Sequence, residues 1–147
     1  MSRFKNLQKQ LGFFTAVSFY RKLKSGNLSN LRTGNLVHQF NLRNNPFDYA
    51  TFEEVILNEA YNIPFGFEPK FIIDGGGNIG LTACFFASKF PAAAIITIEP
   101  DTDNYNLLQL NCKAYANIQT LQCGIWKNDT HLKIENTHAG NNAFTVI

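Results

Sequence analysis

Residues Phe71–Thr82 read FIIDGGGNIGLT, and this segment is the most informative about the fold. Its first three residues, Phe71–Ile73, are apolar and indicate a short strand, and the glycine-rich run after them indicates a tight turn. The segment Leu81–Phe90 is rich in alanine and phenylalanine and is followed by a proline, so it predicts a helix that ends there. A strand that leads through a glycine turn into a helix is the first part of a β-α-β unit.

The same alternation continues along the chain. Ala94–Ile98 predicts a second strand, Thr102–Tyr115 a second helix and Ile118–Trp126 a third strand. Crossovers of this kind join parallel strands, so the expected fold class is α/β, with the N-terminal part of a Rossmann-like sheet preceded by helices. Leu132–Ile134 and Ala143–Ile147 predict two further short strands, arranged as a hairpin around a polar loop.

The N-terminal region has a different pattern. Apolar residues recur every three or four positions from Arg3 to Lys24 and predict one amphipathic helix with basic flanks. Such a helix docks onto its parent domain or lies on an anionic membrane surface; docking is favoured, and weak membrane contact through residues 3–24 is the alternative. The polar connector Ser25–Gly34 predicts a boundary, which divides the chain into residues 1–34 and a domain of residues 35–147.

Two more elements are predicted between this connector and the glycine turn. Apolar and polar residues alternate over Leu36–Leu42, which predicts a strand. Asp48 or Thr51 is suited to cap a helix that runs to about Tyr61.

Composition sets limits on the function. The 147 residues suffice for one domain, and a charged fraction of 16% implies that much of the surface needs burial. A net charge of +2 argues against a nucleic-acid partner. The three cysteines lack CxxC spacing, so neither a disulfide framework nor a metal site is predicted. Reduced thiols and the lack of an evident export signal predict a cytoplasmic protein.

The glycine turn supports two interpretations of its chemistry. One takes a GxGxxG pattern from Gly75, Gly77 and Gly80, which suits the pyrophosphate of a nicotinamide dinucleotide (NAD) at a helix N-terminus. The other takes a DxGxNxG pattern from Asp74, Gly76, Asn78 and Gly80, the form used by S-adenosylmethionine-dependent methyltransferases.

Charge separates these interpretations. Asp74 would repel a pyrophosphate, whereas it complements the ammonium and sulfonium groups of S-adenosylmethionine; two charges about 4 Å apart interact by roughly 4 kcal/mol at an effective dielectric of 20. Glu99 lies 19 residues beyond Gly80, close to the spacing at which an acid meets ribose hydroxyls. Glu99 fits both cofactors, so the preference for S-adenosylmethionine over NAD depends on Asp74.

Several segments of the chain together resemble one enzyme family. Phe71–Leu81, with Ile98–Pro100 and Asn104–Asn111, resembles the FkbM-type methyltransferases, S-adenosylmethionine-dependent O-methyltransferases of sugars and polyketide-like natural products. The similarity extends to Leu42–Asp48 and Cys123–Trp126 and covers roughly residues 36–147. It implies a class I methyltransferase sheet and methyl transfer to a hydroxyl of a glycan or another small molecule.

The resemblance also implies roles for individual residues. It places Asp74, Gly76, Asn78 and Gly80 around the methionine moiety, Glu99 on the ribose, Pro100 and Asp101 beside the adenosine, and Gly124 and Ile125 near the adenine. Glycines permit close approach of the backbone, and an asparagine offers a donor and an acceptor. No catalytic base is identified, because His38, His131 and His138 show neither triad nor metal-ligand spacing.

The chain departs from the family in one respect. No DxEG-like motif follows Glu99, and the later strands of the seven-stranded sheet are not predicted. The sequence therefore predicts the truncated N-terminal portion of such an enzyme. A third hypothesis is a non-catalytic fragment or interaction module that keeps the nucleotide-binding fold, in which a bare edge at Phe71–Ile73 favours homo-oligomers.

Overall fold

The computed structural model describes residues 3–128. In chain order its elements are α1 (Arg3–Leu11), α2 (Phe13–Ser25), α3 (Pro46–Phe52), a π-helical turn (Glu53–Leu57), β1 (Phe71–Gly75), α4 (Leu81–Lys89), β2 (Ala94–Ile98), α5 (Thr102–Cys112) and β3 (Ile118–Leu121). The predicted hairpin of Leu132–Ile134 and Ala143–Ile147 lies outside the described residues. Among the described helices, none has the length and hydropathy needed to cross a bilayer.

The three strands form one parallel sheet in the order β1-β2-β3. Ile72 is paired with Ile95, and Asp74 with Thr97. This confirms the predicted β-α-β-α-β alternation and the α/β class. The third strand was predicted too long: it ends at Leu121, because its partner β2 ends at Ile98, the residue opposite.

The two faces of the sheet differ in burial. Ile95 and Thr97 are fully buried on the face covered by α4 and α5. Phe71 and Ile73 point to the opposite face and are 54% and 62% exposed. Within residues 3–128, β1 pairs with β2 alone, so its other edge carries no strand in this part of the chain.

The single N-terminal helix predicted over Arg3–Lys24 is wrong, because the structure has two helices there. Gly12 separates α1 from α2 with φ +77°, a left-handed conformation that interrupts the helix. The rings of Phe4 and Tyr20 lie 5.3 Å apart, edge to face, so the two helices fold back on each other as a hairpin.

This helical hairpin docks onto the rest of the domain, as favoured from the sequence. Leu7, Ala16 and Phe19 are buried on its inner side. The ring of Phe19 stacks on that of Phe52 in α3, with centroids 4.6 Å apart.

The strand predicted over Leu36–Leu42 is also wrong. The backbone pairing of this segment is an isolated antiparallel β-bridge between Leu31 and Phe40, not a strand. The backbone N–H of Val37 bonds to the hydroxyl of Ser88 instead, at 3.1 Å. The backbone bends at Val37 and His38, and side chains accept hydrogen bonds from the N–H groups of Val37, His38 and Asn41, so no sheet forms.

The next helix differs from its prediction at both ends. Asn45, rather than Asp48 or Thr51, caps α3: its side chain accepts a hydrogen bond from the Asp48 N–H at 2.8 Å, and Pro46 occupies the first turn. The helix passes into the π-helical turn Glu53–Leu57 and does not reach Tyr61, because Glu59, with φ +47°, leaves the helical conformation. That turn is closed by the bond from the Asn58 N–H to the Glu53 carbonyl, at 2.8 Å.

Candidate functional site

The glycine turn lies where β1 and β2 end. The backbone N–H groups of Gly76 and Gly77 both donate to the carbonyl of Ile98, at 2.9 and 2.8 Å. The Gly80 N–H closes the turn on the Gly77 carbonyl at 2.7 Å and leads into α4. The turn is therefore fixed to the carboxyl ends of two parallel strands, the edge at which α/β sheets bind ligands.

Two glycines of this turn differ in their surroundings. A Cβ at Gly77 would lie 2.1 Å from the hydroxyl oxygen of Thr97 and 2.9 Å from a methyl of Leu108, so packing excludes any side chain there. Gly76 has φ +80°, and the position of its absent Cβ faces open space. Gly77 therefore serves internal packing, whereas Gly76 leaves room beside the turn.

Gly80, the third glycine, positions α4 against α5. A Cβ at this residue would approach the sulfur of Cys112 at 3.0 Å and the backbone of Leu108 at 3.2 Å. This contact brings the N-terminus of α4 close to α5, and it gives Gly80 a structural role that the sequence pattern alone does not reveal.

Asp74 places a carboxylate beside the turn. It lies on β1 opposite Thr97, whose hydroxyl donates to Asp74 Oδ2 at 2.8 Å. Burial raises the pKa of Asp74 above its ordinary value of 3.8, and the bond from Thr97 opposes that shift. A half-buried carboxylate of this kind attracts a cationic group to the glycine turn.

Glu99 follows β2 and is only 4% exposed. Its carboxylate accepts backbone hydrogen bonds from Asn78 at 2.9 Å and from Asp101 at 3.0 Å, and a further bond from the side chain of Asn104. Burial raises the pKa of Glu99, and these three bonds oppose the shift. Glu99 thus connects the glycine turn to the start of α5.

Pro100 and Asp101 form the start of α5. Asp101 is the N-cap residue, and its Oδ1 accepts a hydrogen bond from the Asn104 N–H at 2.9 Å. A carboxylate here also interacts favourably with the helix dipole. Pro100 is partly exposed. The structure therefore explains Asp101 by helix capping, and contact of both residues with an adenosine stays a prediction.

Gly124 and Ile125 lie in the exposed segment after β3. The Ile125 side chain reaches the glycine turn: its Cδ1 is 2.8 Å from the position that a Cβ on Gly75 would occupy. No atom lies within 4 Å of the corresponding position on Gly124. The structure thus brings Ile125 to the turn, where it supplies an apolar, largely exposed surface.

Glu99 is also held through Asn104 by a polar network that the sequence did not predict. The guanidinium of Arg43 bonds to the carboxylate of buried Asp48 at 2.8 Å and to Oδ1 of Asn104 at 2.7 Å. Asn104 in turn bonds to Glu99. Arg43 lies 61 residues before Asn104, and no local pattern indicates such a contact.

Two asparagines hold the glycine turn from its other side. The side-chain amide of Asn78 donates to the hydroxyl of Thr51 at 3.1 Å, and Asn78 itself has φ +48°. The amide of Asn111 donates to the carbonyls of Ile79 at 2.8 Å and of Asn41 at 3.1 Å. The turn is therefore bonded to α5 and to the segments before the sheet.

Within residues 3–128, the remaining candidates for chemistry give no further site. Residues 3–128 contain no group of histidines, cysteines and acids that could hold a metal ion. Cys84 and Cys112 are buried free thiols with their sulfurs 3.9 Å apart. The ring of His38 packs edge to face on that of Tyr115, 4.7 Å away, whereas His131 and His138 lie outside the described residues.

Two curated fungal proteins are similar in sequence to this chain. One, named Methyltransferase 1, from Beauveria bassiana (strain ARSEF 2860), is 29% identical over 85 residues, which is 56% of this chain and 34% of that protein. The other, Methyltransferase sdnD of Sordaria araneosa, is 32% identical over 77 residues, 50% of this chain and 30% of that protein. The matched segments span about a third of each relative. No family model matches the chain, so membership of the FkbM-type family stays a prediction.

Proposed function

We propose that this chain forms the cofactor-binding part of an S-adenosylmethionine-dependent methyltransferase that transfers a methyl group to a hydroxyl of a sugar or another natural product. One observation carries the proposal: a half-buried carboxylate, Asp74, beside a glycine turn whose Gly76 opens to free space at the ends of β1 and β2. The relatives named methyltransferase support methyl transfer in general.

The donor set fits this cofactor better than a dinucleotide. S-adenosylmethionine presents an ammonium and a sulfonium, and both are attracted to the Asp74 carboxylate. A pyrophosphate in the same position would meet a charge of its own sign. The closed packing at Gly77 and the open space at Gly76 direct any ligand to one side of the turn.

In this proposal, different residues contact different parts of the cofactor. Asp74 binds the methionine end, the remaining acceptor capacity of Glu99 serves the ribose hydroxyls, and the exposed Ile125 side chain packs along the purine. When bound, the cofactor supplies an electrophilic methyl group on sulfur. The chain's part in the transfer is to hold that group in line with the acceptor oxygen, whose proton passes to a base.

Tyr61 lies near the methionine end of this arrangement. Burial, together with the charges of Glu54 and Asp74, raises the pKa of its hydroxyl, which keeps Tyr61 neutral. We propose that Tyr61 covers the site, since its ring packs edge to face on that of Phe86 in α4, with centroids 6.3 Å apart.

Calorimetry with the purified chain tests the assignment. We expect Asp74→Asn to weaken the binding of S-adenosylmethionine by about tenfold or more, since a bond to a charged partner contributes about 1.5–3 kcal/mol. The loss should be smaller for S-adenosylhomocysteine, which lacks the sulfonium charge. Asp103→Asn, at an exposed acid of α5, is the matched control. Equal affinities for wild type and Asp74→Asn would refute the assignment.

A nicotinamide dinucleotide is the second candidate. It is favoured by one observation: no side chain caps the N-terminus of α4, which follows directly on Gly80, so the helix N-terminal amides are not taken up by a capping side chain. Titration with NADH, followed by its fluorescence, separates the two candidates. A fluorescence change together with no heat from S-adenosylhomocysteine would reverse the preference.

A further inference from the structure

The N-terminal third of the chain is unusual in its charge. Residues 1–47 contain eight of the thirteen lysines and arginines and none of the eleven acidic residues. Residues 48–147 hold the other five basic residues and all of the acids. The modest net charge of +2 thus conceals a basic segment followed by an acidic one, an asymmetry that indicates an anionic partner for the basic part.

The helical hairpin of this basic segment ends in exposed aromatic residues. Gly12 forms the bend, and Phe13 and Phe14 follow it with 55% and 87% of their surface exposed. Their rings contact each other edge to face, with centroids 5.6 Å apart. We call these three residues the phenylalanine tip.

Incomplete docking of the hairpin does not explain this exposure. Its inner side chains, Leu7, Ala16 and Phe19, are buried against the domain, so the apolar residues of the hairpin fall into two sets. One set fixes the hairpin to the protein, and the other points outward, where its exposure to water is unfavourable. A second apolar surface would cover the outward set.

Basic side chains lie in the segments next to the tip. Lys9 is exposed on α1 one turn before Gly12, and Arg21 lies seven residues after Phe14, on the same outer face of α2. A cavity of about 340 Å³ adjoins Phe14; its lining includes Lys22 and Arg32. The ammonium of Lys22 bonds to the carbonyls of Ser29 and Asn30, which holds it at that cavity.

We infer that the phenylalanine tip and the basic residues around it form a docking surface for the anionic face of a phospholipid bilayer. Phe13 and Phe14 enter the boundary between headgroups and acyl chains, and Lys9, Arg21, Lys22 and Arg32 meet lipid phosphates. A bilayer suits these observations better than a nucleic acid does, because two adjacent rings on an exposed bend match an apolar layer under a charged one.

Vesicle co-sedimentation of the full chain tests this inference. We expect binding to vesicles of phosphatidylcholine mixed with phosphatidylserine, little binding to phosphatidylcholine alone, and weaker binding as salt rises. The double variant Phe13→Ser/Phe14→Ser should lower the partition coefficient about tenfold or more. Arg21→Gln should lower it about fivefold.

Matched controls keep the test specific. Phe67→Ser changes a phenylalanine that is 68% exposed elsewhere, and Lys113→Gln changes an exposed cation after α5. Both should bind vesicles like wild type, and circular dichroism should give all variants the same melting temperature. Equal binding to the two kinds of vesicle, an equal loss in the controls, or binding to duplex DNA or RNA without binding to vesicles would overturn the inference. None of these outcomes depends on the proposed cofactor.

Discussion

The ends of β1 and β2 each carry one acid, and the protein holds the two carboxylates in different ways. Asp74 receives one hydroxyl bond, from Thr97, and its Oδ2 lies 3.3 Å from the position that a Cβ on Gly77 would occupy. Glu99 is buried and receives three bonds, two of them from backbone N–H groups. The difference indicates a division of labour: Glu99 mainly holds the turn in shape, and Asp74 keeps most of its acceptor capacity for a ligand.

The largest loss of stability is expected from a side chain at Gly77, the glycine of the turn that is packed against Thr97 and Leu108. In Gly77→Ala the new Cβ would overlap the Thr97 hydroxyl and crowd Leu108, so either the turn or α5 must move. We expect the free energy of unfolding to fall by about 3 kcal/mol. Urea denaturation measures this loss.

Gly76→Ala is the matched control for Gly77→Ala. Its Cβ meets no neighbour, but its φ of +80° strains an L-residue, so the expected loss is about 1 kcal/mol. If Gly76→Ala were the more damaging of the two, the packing role given to Gly77 would be wrong.

A smaller loss is expected at the buried carboxylate. Glu99→Gln keeps one acceptor oxygen but turns an NH₂ group toward a backbone N–H, so a buried donor of Asn78 or Asp101 is left without its bond. We expect about 2 kcal/mol of destabilisation and faster hydrogen exchange at the Asn78 amide. Glu68→Gln, at an exposed acid, should change neither quantity. An unchanged urea midpoint for Glu99→Gln would contradict the bracing role.

The smallest effect, with the opposite sign, is expected at Asp74. In Asp74→Asn the amide oxygen can still accept the Thr97 hydrogen bond, and the buried charge is removed. We expect the stability at neutral pH to rise by about 1 kcal/mol or less while cofactor affinity falls. Thermal melts beside calorimetry would show this; a fall in both quantities would mean that Asp74 is a structural residue.

The pH dependence of stability sharpens the same contrast. Burial raises the pKa of folded Asp74 above 3.8, so in the window just above that value the native state binds more protons than the unfolded state. Stability is therefore highest below this window and falls as pH rises through it. Asp74→Asn should reduce this slope and leave the part due to Glu99, whose pKa is also raised. Urea titrations at a series of pH values measure the slope, and an unchanged slope would exclude Asp74 as its source.

The sequence predicted the second half of the fold better than the first. From β1 to β3 the elements are short, apolar and separated by glycine and proline, so local periodicity determines them; β2 was predicted residue for residue. In the first half, tertiary contacts override the local pattern. The alternation over Leu36–Leu42 reflects burial of Leu36, Phe40 and Leu42 in the core rather than pairing with a neighbouring strand.

The candidate site was likewise predicted in part. The glycine turn and the acids at the ends of β1 and β2 belong to recognisable sequence patterns. The structure brings Asp74, Gly76, Asn78 and Glu99 to one edge of the sheet. The supports of these residues were not predictable, because Arg43, Thr51 and Asn111 reach the site from distant positions. Nothing in a single sequence indicates which asparagine will bond to which carbonyl.

The π-helical turn Glu53–Leu57 has a consequence for how this chain tolerates insertions and deletions. A π-turn contains one residue more than the α-helical turn it replaces. It also allows three successive residues, Val55, Ile56 and Leu57, to be buried. The helix ends after this turn, so deleting one residue here would restore α-helical geometry and rotate only the side chains between the deletion and Leu57, by about 100°. Homologues that lack one residue in this region should therefore bury a different set of side chains against α4.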